Sequence, residues 1–168
     1  MSDAHVLPDL LLAGLKVVFC GTAAGTRSAQ VGAYYAGRGN KFWPTLYAIG
    51  LTPRLFSPHE FRDLPQYGIG LTDIAKTYFG ADKGLRSDHF DADGLRRKIE
   101  QAVPRVLAFN GKKSASAFYG ARVSYGQQPD LIGATTVFVL PSTSGAANAF
   151  WQIDDWRDLA AFIQARTP

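Results

Sequence analysis

The chain has 168 residues, 46% hydrophobic and 19% charged, which is enough apolar mass for one packed core and too little charge for a disordered chain. Its 18 Lys and Arg outnumber 14 Asp and Glu and leave a net charge of +4, a mild surplus that suits a polyanionic partner without requiring one. A single cysteine, Cys20, excludes an internal disulfide and a cysteine-rich metal cluster. His5, His59 and His89 lack metal-ligand spacing, so neither a metal nor a cofactor is expected.

The opening stretch contains Pro8 and Asp9 and no basic patch, which makes a poor secretory signal. No apolar run reaches bilayer length. The expectation is a cytoplasmic protein that fills one domain over residues 1–168 and has no membrane contact.

In chain order, LKVVFCG over residues 15–21 reads as a buried parallel strand, because it is apolar, β-branched and closed by glycine. GTAAGTRSAQ follows as a small-residue loop. Asn40 to Ile49 reads as a helix with Asn40 as N-cap. Ser57-Pro58-His59-Glu60 has the capping-box form and predicts a short helix ending near Pro65. IGLTDI over residues 69–74 is a second strand, and residues 76–90 read as an exposed loop. Leu95, Ile99, Ala102 and Val103 fall at helical spacing before Pro104. RVLAFN is a third strand, Gly111 to Tyr119 a helix, residues 122–134 turns, and TTVFVL a fourth strand. Trp156, Leu159, Ala160 and Ile163 form the apolar stripe of a last helix, capped by Asp154 or Asp155.

Nearly all-apolar strands that alternate with helices predict an α/β fold, three layers around a parallel sheet. In such sheets, sites lie at the carboxyl ends of the strands. Four segments sit there: Gly21–Gly25, Leu71–Asp73, Asn110–Lys113 and Pro141–Asn148. The Gly21 loop has neither the GxGxxG nor the Walker A pattern, so its plain alternative is a tight turn. The Ser142-Thr143-Ser144-Gly145 loop can hold a phosphate through hydroxyls and N–H groups, or can simply be solvated. Phe42 and Trp43 read as core, and Tyr35 as a stacking platform for a base.

The blocks VLPDLLLAGLKVVFCGTAAG, YYAGRGNKFWPTLYAIGLTPR, YGIGLTD, FNGKKS and VFVLPSTSGAAN together resemble the mismatch-specific uracil/thymine branch of the uracil-DNA glycosylases over roughly residues 6–150. The resemblance implies a four-stranded parallel sheet in three layers, uracil-DNA glycosylase-like. It implies a monomer whose partner is DNA containing uracil or another deaminated base. The base is flipped into a pocket and its N-glycosidic bond hydrolysed to leave an abasic site. Such chemistry needs donors at the departing base and a group that places water at the sugar. On the same likeness, Tyr35 stacks on the base, backbone N–H groups of Thr22 and Ala23 hold an oxygen of it, and Asn110 reads its edge. Lys112 and Lys113, Ser142, Ser144, Gly145 and Ala146 face the DNA.

The sequence departs from that branch at two motifs. Where the first motif carries a water-holding asparagine stands Ala23, whose methyl group cannot hold water. Where the second carries an amide stands Ser142, and the bulky wedge after it is replaced by Ala146 and Ala147. The catalytic candidates therefore become Asn40 and Asp73, with an N-cap and a turn or cap as their plain alternatives. A non-catalytic lesion- or abasic-DNA binder on the same fold is the competing expectation.

Overall fold

The computed structural model describes residues 5–165. Four apolar runs become strands buried along their whole length: β1 Val17–Gly21, β2 Ile69–Asp73, β3 Val106–Asn110 and, after a short β4 at Gly126–Gln127, β5 Thr136–Leu140. The sheet order is β2-β1-β3-β5-β4. The first four strands run parallel, and β4 pairs antiparallel with β5. The expected four-stranded parallel sheet is thus present with a fifth strand at its edge. Two residues are too few to show an alternation, which is why this stretch reads as turns in the sequence.

Among the described residues five α-helices complete the layers: α1 Thr26–Val31, α2 Phe42–Ala48, α3 Ala92–Ala102, α4 Lys112–Tyr119 and α5 Asp154–Ala165. Side chains alternate across the strands. Val17, Phe19, Leu71, Ala108 and Phe138 pack with α2, α5 and the 3₁₀ segment Pro58–Tyr67. Val18, Cys20, Leu107, Phe109 and Val139 pack with α3 and α4. Trp156 of α5 anchors the first layer: its ring stacks on Phe19 at 5.5 Å, and its indole N–H donates to the Pro141 carbonyl at 2.9 Å. In the second layer, Asp91 caps α3 by accepting from Gly94 N–H at 2.9 Å, and Val103 closes that helix with a left-handed φ of +49° ahead of Pro104.

Several local expectations change. The stretch expected as a loop after β1 contains α1, whose six residues are too short to display a helical period. The second helix begins at Phe42 rather than Asn40. The Pro58 segment is 3₁₀ and runs on to Tyr67, past Pro65, although Glu60 does accept from Ser57 N–H at 3.0 Å as a capping box requires. The stretch from 76 to 90 is mostly exposed turn, but Lys76 at its start is buried.

The free edge of β2 is covered. Leu10 and Leu71 exchange two backbone hydrogen bonds, at 2.9 and 3.1 Å, and Val6 N–H donates to the Lys76 carbonyl at 2.8 Å. An edge strand so covered offers no template for unwanted pairing. Gly70 permits the approach: a Cβ there would lie 2.3 Å from the Leu10 carbonyl oxygen.

Candidate functional site

The parallel register brings the last residues of the strands into one row, with Gly21 beside Asp73 and Asn110 beside Leu140. Each lies two residues beyond a side chain packed toward α2 and α5, so all face that layer.

Asp73 is 5% exposed. Burial pushes its carboxyl up to about 6, Asp9 and Asp82 push the same way, and Lys76 and the Gly21 N–H hold it back. A carboxyl so tuned is charged at neutral pH yet sits close to its titration point, as a group that works with protons or cations needs. Gly21 makes room for it: a Cβ would stand 2.7 Å from Asp73 Oδ1 and 3.1 Å from the Tyr35 hydroxyl.

Tyr35 has a φ of +54°, a costly conformation for a bulky residue, and such strain persists where neighbours fix it. The fixing neighbour is Phe42, whose ring stacks on Tyr35 at 4.0 Å and 27°. Tyr35 is half-buried, while its hydroxyl is buried, makes no well-formed hydrogen bond among the described residues, and has the Asn110 side chain near enough to act on it. Burial and the Asp73 charge push that phenol well above its usual value. Tyr34 turns elsewhere, and its hydroxyl donates to the Pro8 carbonyl at 2.8 Å.

The loop after β1 lies along the chain that leaves β2. The carbonyls of Gly21, Thr22 and Ala24 accept from the N–H groups of Ile74, Ala75 and Gly80 at 3.0, 2.8 and 2.9 Å. The Thr22 hydroxyl donates to Asp82 at 2.9 Å, and half-buried Ala23 carries only its methyl group.

Asn110 holds the second loop. Its Nδ2 donates to Thr143 Oγ1 at 2.9 Å, and its Oδ1 accepts from Thr143 N–H at 3.0 Å. Thr143 in turn accepts from Lys41 N–H at 2.8 Å, and Lys41 Nζ donates to Asn148. The ends of β3 and β5 and the start of α2 are thereby tied together. Ser142 Oγ accepts from Ser144 N–H at 3.2 Å, and Ser144 Oγ from Ala146 N–H at 3.3 Å, so both hydroxyls shape the turn. Gly145 passes close to the 38–39 backbone, where a Cβ would lie 3.4 Å from the Arg38 carbonyl oxygen.

Of the sequence candidates, Asp73, Tyr35, Asn110 and the Thr22–Ala23 backbone therefore converge at the strand ends. Asn40, Ser142, Ser144 and Gly145 belong to the adjoining loops. Asn40 accepts from Phe42 N–H at 3.0 Å, the short-range bond expected of a residue at a helix start. Lys112 lies over the Tyr125 ring, 4.3 Å from its centre, and Lys113 and Ala146 are exposed. Sequence reasoning missed Thr143, Lys41, Asp9 and Lys76. Thr143 sits inside a noted motif; the other three carry no local signal, because their partners lie far away in the chain. Among the described residues no group of His, Cys, Asp and Glu is placed to hold a metal ion, and no helix is long and apolar enough to cross a membrane.

The profile of the Uracil DNA glycosylase superfamily matches residues 8–162. The solution structure of a Methanosarcina acetivorans protein, provisionally described as a uracil DNA glycosylase, superposes with a TM-score of 0.61 at 23% identity. The match covers 94% of this chain and 96% of that one, a likeness of fold.

Proposed function

We propose that this chain, which belongs to the uracil DNA glycosylase superfamily, flips a deaminated base out of DNA, uracil first, and hydrolyses its N-glycosidic bond to leave an abasic site. The observation that carries this reading is the pairing of a buried carboxyl, Asp73, with a half-buried stacked aromatic, Tyr35, both brought close by the missing side chain of Gly21.

In this reading the flipped base lies against the Tyr35 ring, whose other neighbour, Phe42, holds it rigid. The Asp73 carboxylate faces the sugar, where it stabilises the cationic character of the transition state and orients water. Asn40 supplies the second polar contact to that water. The N–H groups of Thr22 and Ala23 receive the charge of the departing base, and Asn110 reads its edge with the capacity that Thr143 leaves free. Lys112, Ser142, Ser144, Gly145 and Ala146 meet the DNA strand.

The reaction is monofunctional. The buried lysine near Asp73, Lys76, is engaged by Asp9 and Tyr34, so water rather than an amine attacks the sugar. Neither metal nor cofactor takes part, and the protein acts as a monomer. Within the superfamily, the GTAAG and STSG motifs read as degenerate forms of the mismatch-specific branch.

Incubation with a uracil-containing oligonucleotide followed by hot alkali tests the proposal. Strand breaks at uracil are expected, with hypoxanthine and xanthine duplexes run alongside. Intact uracil strands, both single and double, would reject uracil excision. A second reading, a lesion binder that does not cut, is favoured by Ala23 and Ser142, which stand where the branch carries amides. Its signature is tight, salt-sensitive binding to uracil or abasic DNA with no base release.

A further inference from the structure

Behind the candidate site, three charged side chains from distant parts of the chain meet. Asp9, in the segment that covers the β2 edge, receives Lys76 at 2.9 Å and Lys98 of α3 at 2.7 Å, one on each carboxylate oxygen. Thr72 of β2 donates to Asp9 Oδ1 at 2.7 Å. Lys76 is 8% exposed, and its ammonium also donates to the Tyr34 hydroxyl at 3.0 Å. Burial pushes the Asp9 carboxyl up, but Lys76, Lys98 and Thr72 together hold it below the usual carboxylate value.

One anion against two cations leaves this cluster with a surplus positive charge, which is costly in a low-dielectric surrounding unless another anion stands near. Asp73 is that anion. It lies three residues before Lys76, and Asp73, Lys76 and Lys98 line one cavity of about 380 Å³. The buried Cys20 of β1 feels all four groups: burial chiefly pushes its thiol up, Asp73 and Asp9 push the same way, and Lys76 and Lys98 oppose them. With Asp73 ionised, two carboxylates and two ammonium groups balance.

We propose that Lys76 is a positioning residue for the reaction: held in place by Asp9 and Tyr34, it supplies the positive charge that keeps the buried Asp73 in its carboxylate form. This rests on the reading of Asp73 as the working carboxylate. Without Lys76, the burial of Asp73 and the neighbouring anions act unopposed, and at neutral pH the carboxyl carries its proton and cannot stabilise a cationic sugar. The removal of Asp9 works in the opposite direction, because it takes away a carboxylate that raises Asp73 and leaves the charge of Lys76 less opposed.

The groups that face Asp73 are Lys76 on its own loop, Asp9 of the edge segment, Asp82, Cys20 and the phenols of Tyr34 and Tyr35. Across the cavity stand His5, Lys98, Asp88, His89 and Asp91. Two of these neighbours are histidines, so His5→Gln and His89→Gln variants serve as background.

The test is a carbon-13 NMR titration of the Asp73 carboxyl in the full-length protein without DNA, with the signal assigned by Asp73→Asn. The wild-type midpoint is expected at about 6. Lys76→Met is expected to raise it by about 1 unit or more, Lys76→Arg to leave it near wild type, and Asp9→Asn to lower it. An unchanged midpoint in folded Lys76→Met overturns the proposal. Should Lys76→Met not fold, a midpoint in Asp9→Asn that stays or rises overturns it equally. A mere packing role moves the two variants in no opposed sense. Base release by Asp73→Asn is measured separately: wild-type rates there sink the catalytic reading of Asp73 while leaving the charge coupling to stand or fall on the titration.

Discussion

Gly21 and Asp73 sit side by side in register on β1 and β2, so close that a methyl group on Gly21 would stand 2.7 Å from the carboxylate oxygen. The same methyl would lie 3.1 Å from the Tyr35 hydroxyl. Gly21→Ala therefore displaces both groups at once. Excision is expected to fall ~100-fold or more, in line with the cost of small misplacements at a reacting centre. The strain is expected to lower stability by about 1–3 kcal/mol. Single-turnover base release and urea denaturation measure the two effects, and a fully active Gly21→Ala protein would place the chemistry elsewhere.

Asp73 should trade stability for activity. Its folded value of about 6 lies above the ordinary 3.8. Between those values the folded state binds the proton more tightly than the unfolded state, so stability declines as pH rises through this window and the loss is complete at neutral pH. The shift corresponds to a loss on the order of 3 kcal/mol. Asp73→Asn is thus expected to be more stable than wild type at pH 7, with the gap closing as pH falls from about 6 to about 4. Excision should fall ~10²–10⁴-fold. In wild type the rate should decline on the acid side of about pH 6 as the carboxylate is protonated. A destabilised Asp73→Asn at pH 7 would mark the residue as a structural cap.

Tyr35 separates ring from hydroxyl. The hydroxyl is buried with no well-formed hydrogen bond and only the Asn110 side chain near it, so Tyr35→Phe should be neutral to stabilising by about 1 kcal/mol. Tyr35→Ala removes the stacking surface and should weaken binding of a flipped base by about 1–3 kcal/mol. Calorimetric melting and the affinity for uracil-containing oligonucleotide report the two effects. Weakened binding in Tyr35→Phe would show that the hydroxyl itself holds the base.

Asn110 clamps the loop after β5 through both atoms of its amide. Asn110→Ala leaves Thr143, which is 1% exposed, with an unpaired N–H, at an expected cost of about 1–3 kcal/mol. Amide hydrogen exchange should quicken over residues 141–148 while β1 and β2 stay protected. Uniform quickening would instead point to loss of the whole fold.

Asn40 has a local duty that can be subtracted. Loss of its bond to Phe42 N–H should cost Asn40→Ala about 1 kcal/mol, and Asn40→Ser or Asn40→Asp should restore it. If Asn40 also handles water, excision by the Ser and Asp variants stays low although their stability returns. Recovery of both together would leave Asn40 as a cap only.

The sheet was legible in the sequence because parallel strands buried on both faces are mainly apolar, and β1, β2, β3 and β5 are, with polar residues confined to their ends. Tyr35 and Asp73 were legible as candidates because they stand at strand ends or beside the glycine-rich loop that follows one. Length hid α1 and β4, which complete too little of their periods to register. Separation in the chain hid the ion cluster: Asp9 and Lys76 are 67 positions apart, and nothing near either one announces the other. Asn110 illustrates the intermediate case, since its place at a strand end was readable but its engagement by Thr143 depends on a loop 33 residues away.

Asp9 lies in the strip of chain that seals the β2 edge. A molecule whose first residues have peeled away gives up Leu7 from its core and keeps the rest of both layers. It also loses the anchor that aims Lys76, and with it the charge order around Asp73. A protease nick or a fusion partner pressed against this strip thus moves the protonation of Asp73 to lower pH while leaving most of the architecture standing. The acid limb of the pH profile reports on Asp9 and the strip around it as much as on the pocket.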